Sequence, residues 1–227
     1  MSKIKPLIID YPGINTDLDS LSFGYPHLDF SRQCKGAEFR ETSNRIMHAV
    51  ASKAMEFVDN PETTVVALAW RSSLPFAECF RELGISNFVH FNVYRDEETL
   101  EPICSYVSAT PSNIETVIIA DPMLATAGTA EYMQHFLNYE NTQFIYTSVI
   151  SAPEGISKLE SLEVQDQQVI TARLDRCLDS NAYIVPGIGD FGDKWFDELD
   201  LEGYLNSLVD MRIISHHEKG LLIKRAA

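Results

Sequence analysis

The segment Val117-Ile118-Ile119-Ala120-Asp121-Pro122-Met123-Leu124-Ala125-Thr126-Ala127-Gly128-Thr129-Ala130 constrains the fold more than any other part of the chain. Its apolar start has the composition of a central parallel strand covered on both faces, and Asp121 stands at the carboxyl end of that strand. The residues that follow are small enough for backbone N–H groups to close on an anion at a helix N-terminus. The segment therefore reads as strand, phosphate-binding turn and helix. No Gly-Lys-Ser/Thr follows, which excludes a Walker A loop, and the segment itself carries no Gly-x-Gly-x-x-Gly.

The rest of the chain fits an α/β frame. Residues 38–58 carry Phe39, Ile46, Ala49, Val50, Ala54 and Phe57 at near-helical spacing, and Asn60-Pro61 stops the pattern. Strand-like runs follow at 64–69, 88–94, 116–120, 144–150 and 168–172, alternating with helical patterns at 74–83, 129–139 and 153–161. Such alternation predicts right-handed β-α-β units and a mostly parallel central sheet flanked by helices. Ligands gather at the carboxyl ends of strands in sheets of this kind, where Arg71, Arg95, Asp121 and residues 125–129 fall. The first 30 or so residues contain Pro12-Gly13, Gly24 and Pro26 without a sustained period, and read as an irregular N-terminal cover. Beyond Phe196, the residues Leu199, Leu201, Tyr204, Leu205 and Leu208 suggest a further helix, with short strand-like pieces at 211–214 and 221–223. We expect a single domain over 1–227, with a core at roughly 36–196 and a C-terminal extension at 197–227.

Composition narrows the partners. The chain has 18 basic and 33 acidic residues, a formal charge of −15, and a field of that sign repels nucleic acid and anionic membranes. No apolar stretch approaches the ~20 residues of a membrane span, and no secretory leader pattern opens the chain, so a soluble cytoplasmic protein is expected. Cys34, Cys79, Cys104 and Cys177 are scattered and read as free thiols, and His216-His217 lacks a third ligand in helical register.

Four blocks in order carry a family resemblance. Asp121-Pro122-Met123-Leu124-Ala125-Thr126 and the Ala127-Gly128-Thr129 that follows resemble the 5-phosphoribosyl-1-pyrophosphate (PRPP) loop of type I phosphoribosyltransferases, in the form found in uracil phosphoribosyltransferases. Tyr94-Arg95-Asp96-Glu97-Glu98-Thr99-Leu100-Glu101-Pro102 resembles the flap of that family, and Ala152-Pro153-Glu154-Gly155-Ile156 falls where the family has the same string. Tyr183-Ile184-Val185-Pro186-Gly187-Ile188-Gly189-Asp190-Phe191-Gly192-Asp193 is similar to its uracil-recognition loop.

The resemblance implies transfer of the 5-phosphoribosyl group of PRPP to uracil, giving UMP and pyrophosphate, with Mg²⁺ held through PRPP. It implies PRPP contacts at Arg71, Arg95, Asp121, Ala125, Thr126, Ala127, Gly128 and Thr129, with Asp121 on the ribose hydroxyls directly or through the metal. Guanidinium forks at Arg71 and Arg95 suit phosphate oxygens. Uracil contacts fall at Tyr183, Ile184, Gly189 and Asp190, and Asp190 is a candidate to take the proton from uracil N1. The family also implies a homodimer or a higher homo-oligomer.

This chain departs from the family in several places. Trp70-Arg71-Ser72-Ser73-Leu74-Pro75 stands where members usually carry Arg-Ala-Gly-Leu, so Ser73 replaces a glycine at the pyrophosphate loop. A Cβ costs on the order of 1 kcal/mol or more where the backbone angle is glycine-only. Asn60-Pro61-Glu62 stands in place of a hairpin arm used in subunit contacts, and Arg32-Gln33-Cys34-Lys35-Gly36-Ala37 alters an early basic segment. Phe191 adds bulk beside the uracil loop where alanine is frequent. These departures leave two alternatives open: a transferase with a different heterocyclic acceptor, and a non-catalytic homologue that binds PRPP or a nucleotide.

Overall fold

A computed structural model describes residues 4–21, 36–95, 102–139, 141–162, 164, 166–196 and 215. Its backbone follows the chemistry of the strands. Strand β2 (Thr64–Ala69) has all six residues buried, as does every residue of β5 (Thr116–Ala120). Val66, Leu68, Ile118 and Ala120 face one apolar cluster, while Val65, Ala67, Val117 and Ile119 face a second. Burial on both faces is why these runs are continuously apolar rather than alternating.

Around that pair the sheet runs in the order β1 (Leu7–Ile8), β8 (Gln167–Leu174), β7 (Gln143–Ser151), β5, β2, β3 (Asn87–Arg95) and β4 (Pro102–Val107). All these neighbours are parallel except β3 and β4, which form an antiparallel edge with a bulge at Asn92/Val93. A two-residue strand β6 (Met123–Leu124) pairs with the end of β7. Helices α1 (Ile14–Leu21), α2 (Gly36–Met55) and α3 (Leu74–Glu82) cover one face. Helices α4 (Gly128–Phe136) and α5 (Pro153–Ser161) cover the other. A small hairpin of β9 (Cys177–Leu178) and β10 (Ile184–Val185), followed by α6 (Phe191–Phe196), closes the described core. The architecture is the mostly parallel sheet with flanking helices that the residue pattern predicts.

The expected boundaries hold to within a few residues. The long helix begins and ends slightly earlier than its apolar periodicity, and Asn60 accepts a 3.0 Å hydrogen bond from the Glu62 N–H to start the turn Pro61–Thr63. That short turn passes directly from α2 into β2, where a hairpin arm would otherwise stand. Two expectations need correction. The N-terminal cover is not wholly irregular: β1 pairs with β8, and α1 buries Ile14, Leu18 and Leu21 against α2. Strand β4, which begins where the segment read as a flap ends, was not anticipated as a strand.

Among the described residues no helix is long and apolar enough to cross a membrane. Cys79, Cys104 and Cys177 are free, and burial, with Glu82 nearby, pushes the Cys79 thiol up to about 12. Cys34, the histidine pair, the basic segment at 32–35 and the elements expected past residue 196 lie outside the described residues.

Phe191 belongs to the core. Its ring is buried in the core, edge-on to Phe39 of α2 at 5.2 Å and stacked on Trp195 at 5.8 Å. We therefore expect Phe191→Ala to lower the unfolding free energy by about 3–5 kcal/mol in chemical denaturation. A loss below about 1 kcal/mol would show that the ring is not a core group.

Candidate active site

Parallel pairing delivers the ends of β2, β5, β7 and β8 to one edge of the sheet, where β2, β5 and β8 continue into loops and β7 passes directly into α5. After β5 the chain turns through Asp121, whose N–H still bonds to the Thr147 carbonyl at 3.0 Å. The Asp121 carboxylate accepts the Met123 N–H at 3.2 Å, a local turn that fixes the half-buried side chain at the strand mouth. Pro122 lends its carbonyl to the N–H groups of Val149 and Ile150, at 3.0 and 3.1 Å.

The phosphate loop then rises into α4. Ala127 caps that helix in the left-handed region, at φ 62° and ψ 11°, and Thr126 Oγ1 accepts the Gly128 N–H at 3.4 Å. A left-handed alanine costs on the order of 1 kcal/mol. A left-handed residue at a helix start is a geometry in which successive N–H groups can converge on an anion, beside the positive end of a helix dipole. Ala125, Thr126, Gly128 and Thr129 are half-buried and Ala127 is buried, so all five predicted contacts fall on one short arc.

The first turn of α5 supports this arc from below. A Cβ on Gly155 would overlap the carbonyl oxygen of Ala125, and the Ala152 N–H bonds to the Leu124 carbonyl at 2.9 Å. Glu154, one residue earlier, reaches the other way and accepts the Leu178 N–H at 2.9 Å, holding strand β9. The Ala-Pro-Glu-Gly block was located by resemblance alone, and its role becomes visible only in three dimensions.

The second loop is the hairpin β9–β10 and its continuation to Asp190. Asp179 Oδ1 accepts the N–H groups of Asn181 and Tyr183, at 2.8 and 2.9 Å, which shapes the tip. Tyr183 is exposed, Ile184 is buried, and Gly189 takes a positive φ of 74°. Asp190 Oδ1 accepts the Asp193 N–H at 2.9 Å and so starts α6. Another anchor of the loop is Asp175, which was not singled out in the sequence and which accepts the Gly187 N–H at 3.0 Å.

The third loop, Trp70 to Ser73, follows β2. The Ser73 backbone sits at φ −84° and ψ −11°, ordinary right-handed geometry that any residue adopts, so the glycine-to-serine change carries no backbone strain. Its side chain is buried and its N–H bonds to the Ala69 carbonyl at 3.1 Å. Arg71 Nη2 lies 3.3 Å from Asp193 Oδ1, so the arginine predicted for phosphate is tied to the loop predicted for uracil. Ser72 also packs beside Gly192. Arg95 is the last residue of β3, opposite Pro102, and its side chain lies outside the described residues.

Among the described residues no group of three His, Cys, Asp or Glu side chains is placed to hold a metal.

Residues 58–197 match the family model described as uracil phosphoribosyltransferase. A uracil phosphoribosyltransferase of Salinibacter ruber is 33% identical over 210 residues, covering 83% of this chain and 95% of that protein. One from Pediococcus pentosaceus is 33% identical over 187 residues, covering 73% and 88%. The solved structure of a protein from Aquifex aeolicus superposes with a TM-score of 0.70 at 22% identity, over 86% of this chain and 100% of that one, and so shares the fold. Ordered blocks, sheet topology and these similarities agree: the chain belongs to the uracil phosphoribosyltransferase family.

Proposed function

We propose that this chain transfers the 5-phosphoribosyl group of PRPP to uracil, forming UMP and pyrophosphate. The observation that carries this reading is the meeting of the three loops at one sheet edge, with Arg71 of the pyrophosphate loop bridged to Asp193 of the acceptor loop. The C1–O bond to pyrophosphate breaks, the C1–N1 bond to uracil forms, and the N1 proton leaves. Positive charge grows on the ribose and negative charge on the leaving group, so the main task of the protein is electrostatic.

In this reading the arc from Ala125 to Thr129 holds the 5′-phosphate through backbone N–H groups and two hydroxyls. Asp121 holds the ribose hydroxyls at the mouth of β5. Arg71 and Arg95 take pyrophosphate oxygens. Mg²⁺, bound through PRPP, neutralises leaving-group charge as a Lewis acid. The backbone from Tyr183 to Asp190 reads the alternating C=O and N–H edge of uracil. Asp190 stands at the end of that segment with one carboxylate oxygen engaged by the Asp193 N–H, and is the group we assign to the departing N1 proton. PRPP and UMP are charged and do not cross membranes unaided, so the proposed reading is of a cytoplasmic enzyme.

The altered-acceptor reading rested on Phe191, whose ring lies in the core, and on Ser73, whose backbone is unstrained. Purified protein with PRPP and Mg²⁺ should release pyrophosphate with uracil and give UMP by mass. Cytosine, orotate, purines and a no-base control should leave PRPP intact, and turnover with one of those bases in place of uracil would overturn the assignment. Asp121→Asn should lower kcat by about 100-fold or more while far-UV circular dichroism stays native, and full activity would remove Asp121 from the ribose site. Gly155→Ala should raise KM for PRPP and lower stability by about 1–3 kcal/mol, because the added methyl meets backbone of the phosphate loop. An unchanged PRPP affinity would show that α5 does not support that loop.

A further inference from the structure

We propose that Asp175 is a positioning residue for the acceptor, setting the path of the loop that binds it without touching it. This rests on the assignment of that loop to the acceptor base. Asp175 follows directly on β8, and its N–H bonds to the Ser151 carbonyl at 2.8 Å, so its backbone is fixed by the end of β7. Its side chain is only 2% exposed. One carboxylate oxygen accepts Arg173 Nε at 2.6 Å, and the other accepts the Gly187 N–H at 3.0 Å and faces Arg173 Nη2 at 3.5 Å.

Gly187 is the other half of the device. It takes a positive φ of 66°, and a Cβ there would overlap the Ile184 carbonyl oxygen. The turn is therefore available to glycine alone, and the direction of its N–H is set by the fold. Two residues later comes Gly189 and then Asp190, so the bond at Gly187 sets where the acceptor-facing backbone lies. The Arg176 N–H also bonds to the Val185 carbonyl at 3.0 Å, closing the base of the same hairpin.

Stability alone is a weak reason for this arrangement. A buried carboxylate is costly even when paired, and well-packed apolar replacements are frequently neutral or better. What a charged, clamped acceptor supplies is direction: charge-assisted hydrogen bonds are short and hold a backbone group to the tolerance a binding site needs. Arg173 holds the carboxylate, the carboxylate holds Gly187, and Gly187 aims the loop.

The test compares Asp175→Asn and Asp175→Ala with wild type, measuring KM for uracil and for PRPP and the calorimetric affinities for UMP and for PRPP. Asn keeps an oxygen for the Gly187 N–H and should raise uracil KM about threefold. Ala leaves that buried N–H without its acceptor and should raise it about tenfold or more. PRPP KM and affinity should stay within about twofold in both. Parallel rises for both substrates, or a fall in kcat that tracks the folded fraction at unchanged KM, would overturn the inference. Should Asp175→Ala fail to fold, Asp175→Asn and Arg173→Gln carry the same comparison. A wild type that binds PRPP but not UMP would refute the acceptor assignment itself and this inference with it; a wild type that binds both, with variants that bind UMP equally well, would refute only the role of Asp175.

Discussion

The parallel, unshifted register of β2, β5 and β7 is the constraint on which the rest of the structure depends. Thr64 lies opposite Thr116, and Thr116 opposite Gln143, and each pairing continues without a slip to Leu68, Ala120 and Thr147. Three strands in one direction cannot be joined by tight hairpins, so a crossover must pass over a face of the sheet between them. The faces are therefore covered, the strand residues must be apolar on both sides, and polar chemistry is left to the strand ends. Asp121 and Asp175 follow directly on the last residues of β5 and β8, and the two polar groups mark the edge where the ligands belong.

An edge built from independent loops would be too loose for two substrates to react. Here each loop is braced by an element that belongs to another. The first turn of α5 presses Gly155 under Ala125 and extends Glu154 to Leu178, so one helix end contacts both the phosphate arc and the acceptor hairpin. Phe191 draws the far side of the acceptor loop onto α2, through Phe39. Arg71 and Asp193 join the pyrophosphate and acceptor loops across 122 residues of sequence. Placing site groups on rigid, mutually supported elements is what keeps them within reacting geometry.

The parts of the fold legible in the sequence are those where local composition and burial agree. Strands β2 and β5 are buried on both faces and so are unbroken apolar runs, and α2 has a full amphipathic period. Strand β4 was not legible, because Ile103 and Tyr106 are exposed and the strand is placed mainly by its long-range pairing with β3. Helix α1 was missed for a similar reason: its eight residues include two aspartates, and only packing on α2 makes its three buried side chains worth ordering. The site divides in the same way. Residues 121–129 form a contiguous string whose chemistry is local. The backbone angle of Ser73 and the core position of the Phe191 ring were not legible, because a string of letters does not show a backbone angle or the direction of a ring. Asp175 was overlooked because its partner Gly187 is 12 residues away and the contact exists only after the hairpin folds.

The charge balance imposes a last condition on how such a site works. A chain with a formal charge of −15 must bind a polyanion, so attraction has to come from groups a few ångströms away rather than from the mean field, which salt screens over about 10 Å. In the proposed reading the arc from Ala125 to Thr129 meets this with backbone N–H groups and a helix N-terminus, which carry no net charge and need no counterion in the empty protein. Arg71 meets it differently. Its ion pair with Asp193 joins two side chains that are each more than half exposed, at 54% and 56%. Exposed pairs of this kind contribute roughly 0–1 kcal/mol, enough to bias the two loops towards one another and too little to compete with the several charges of a pyrophosphate group. In the proposed reading, the same weakness that makes the pair a poor source of stability makes the Asp193 contact easy to exchange for a pyrophosphate oxygen.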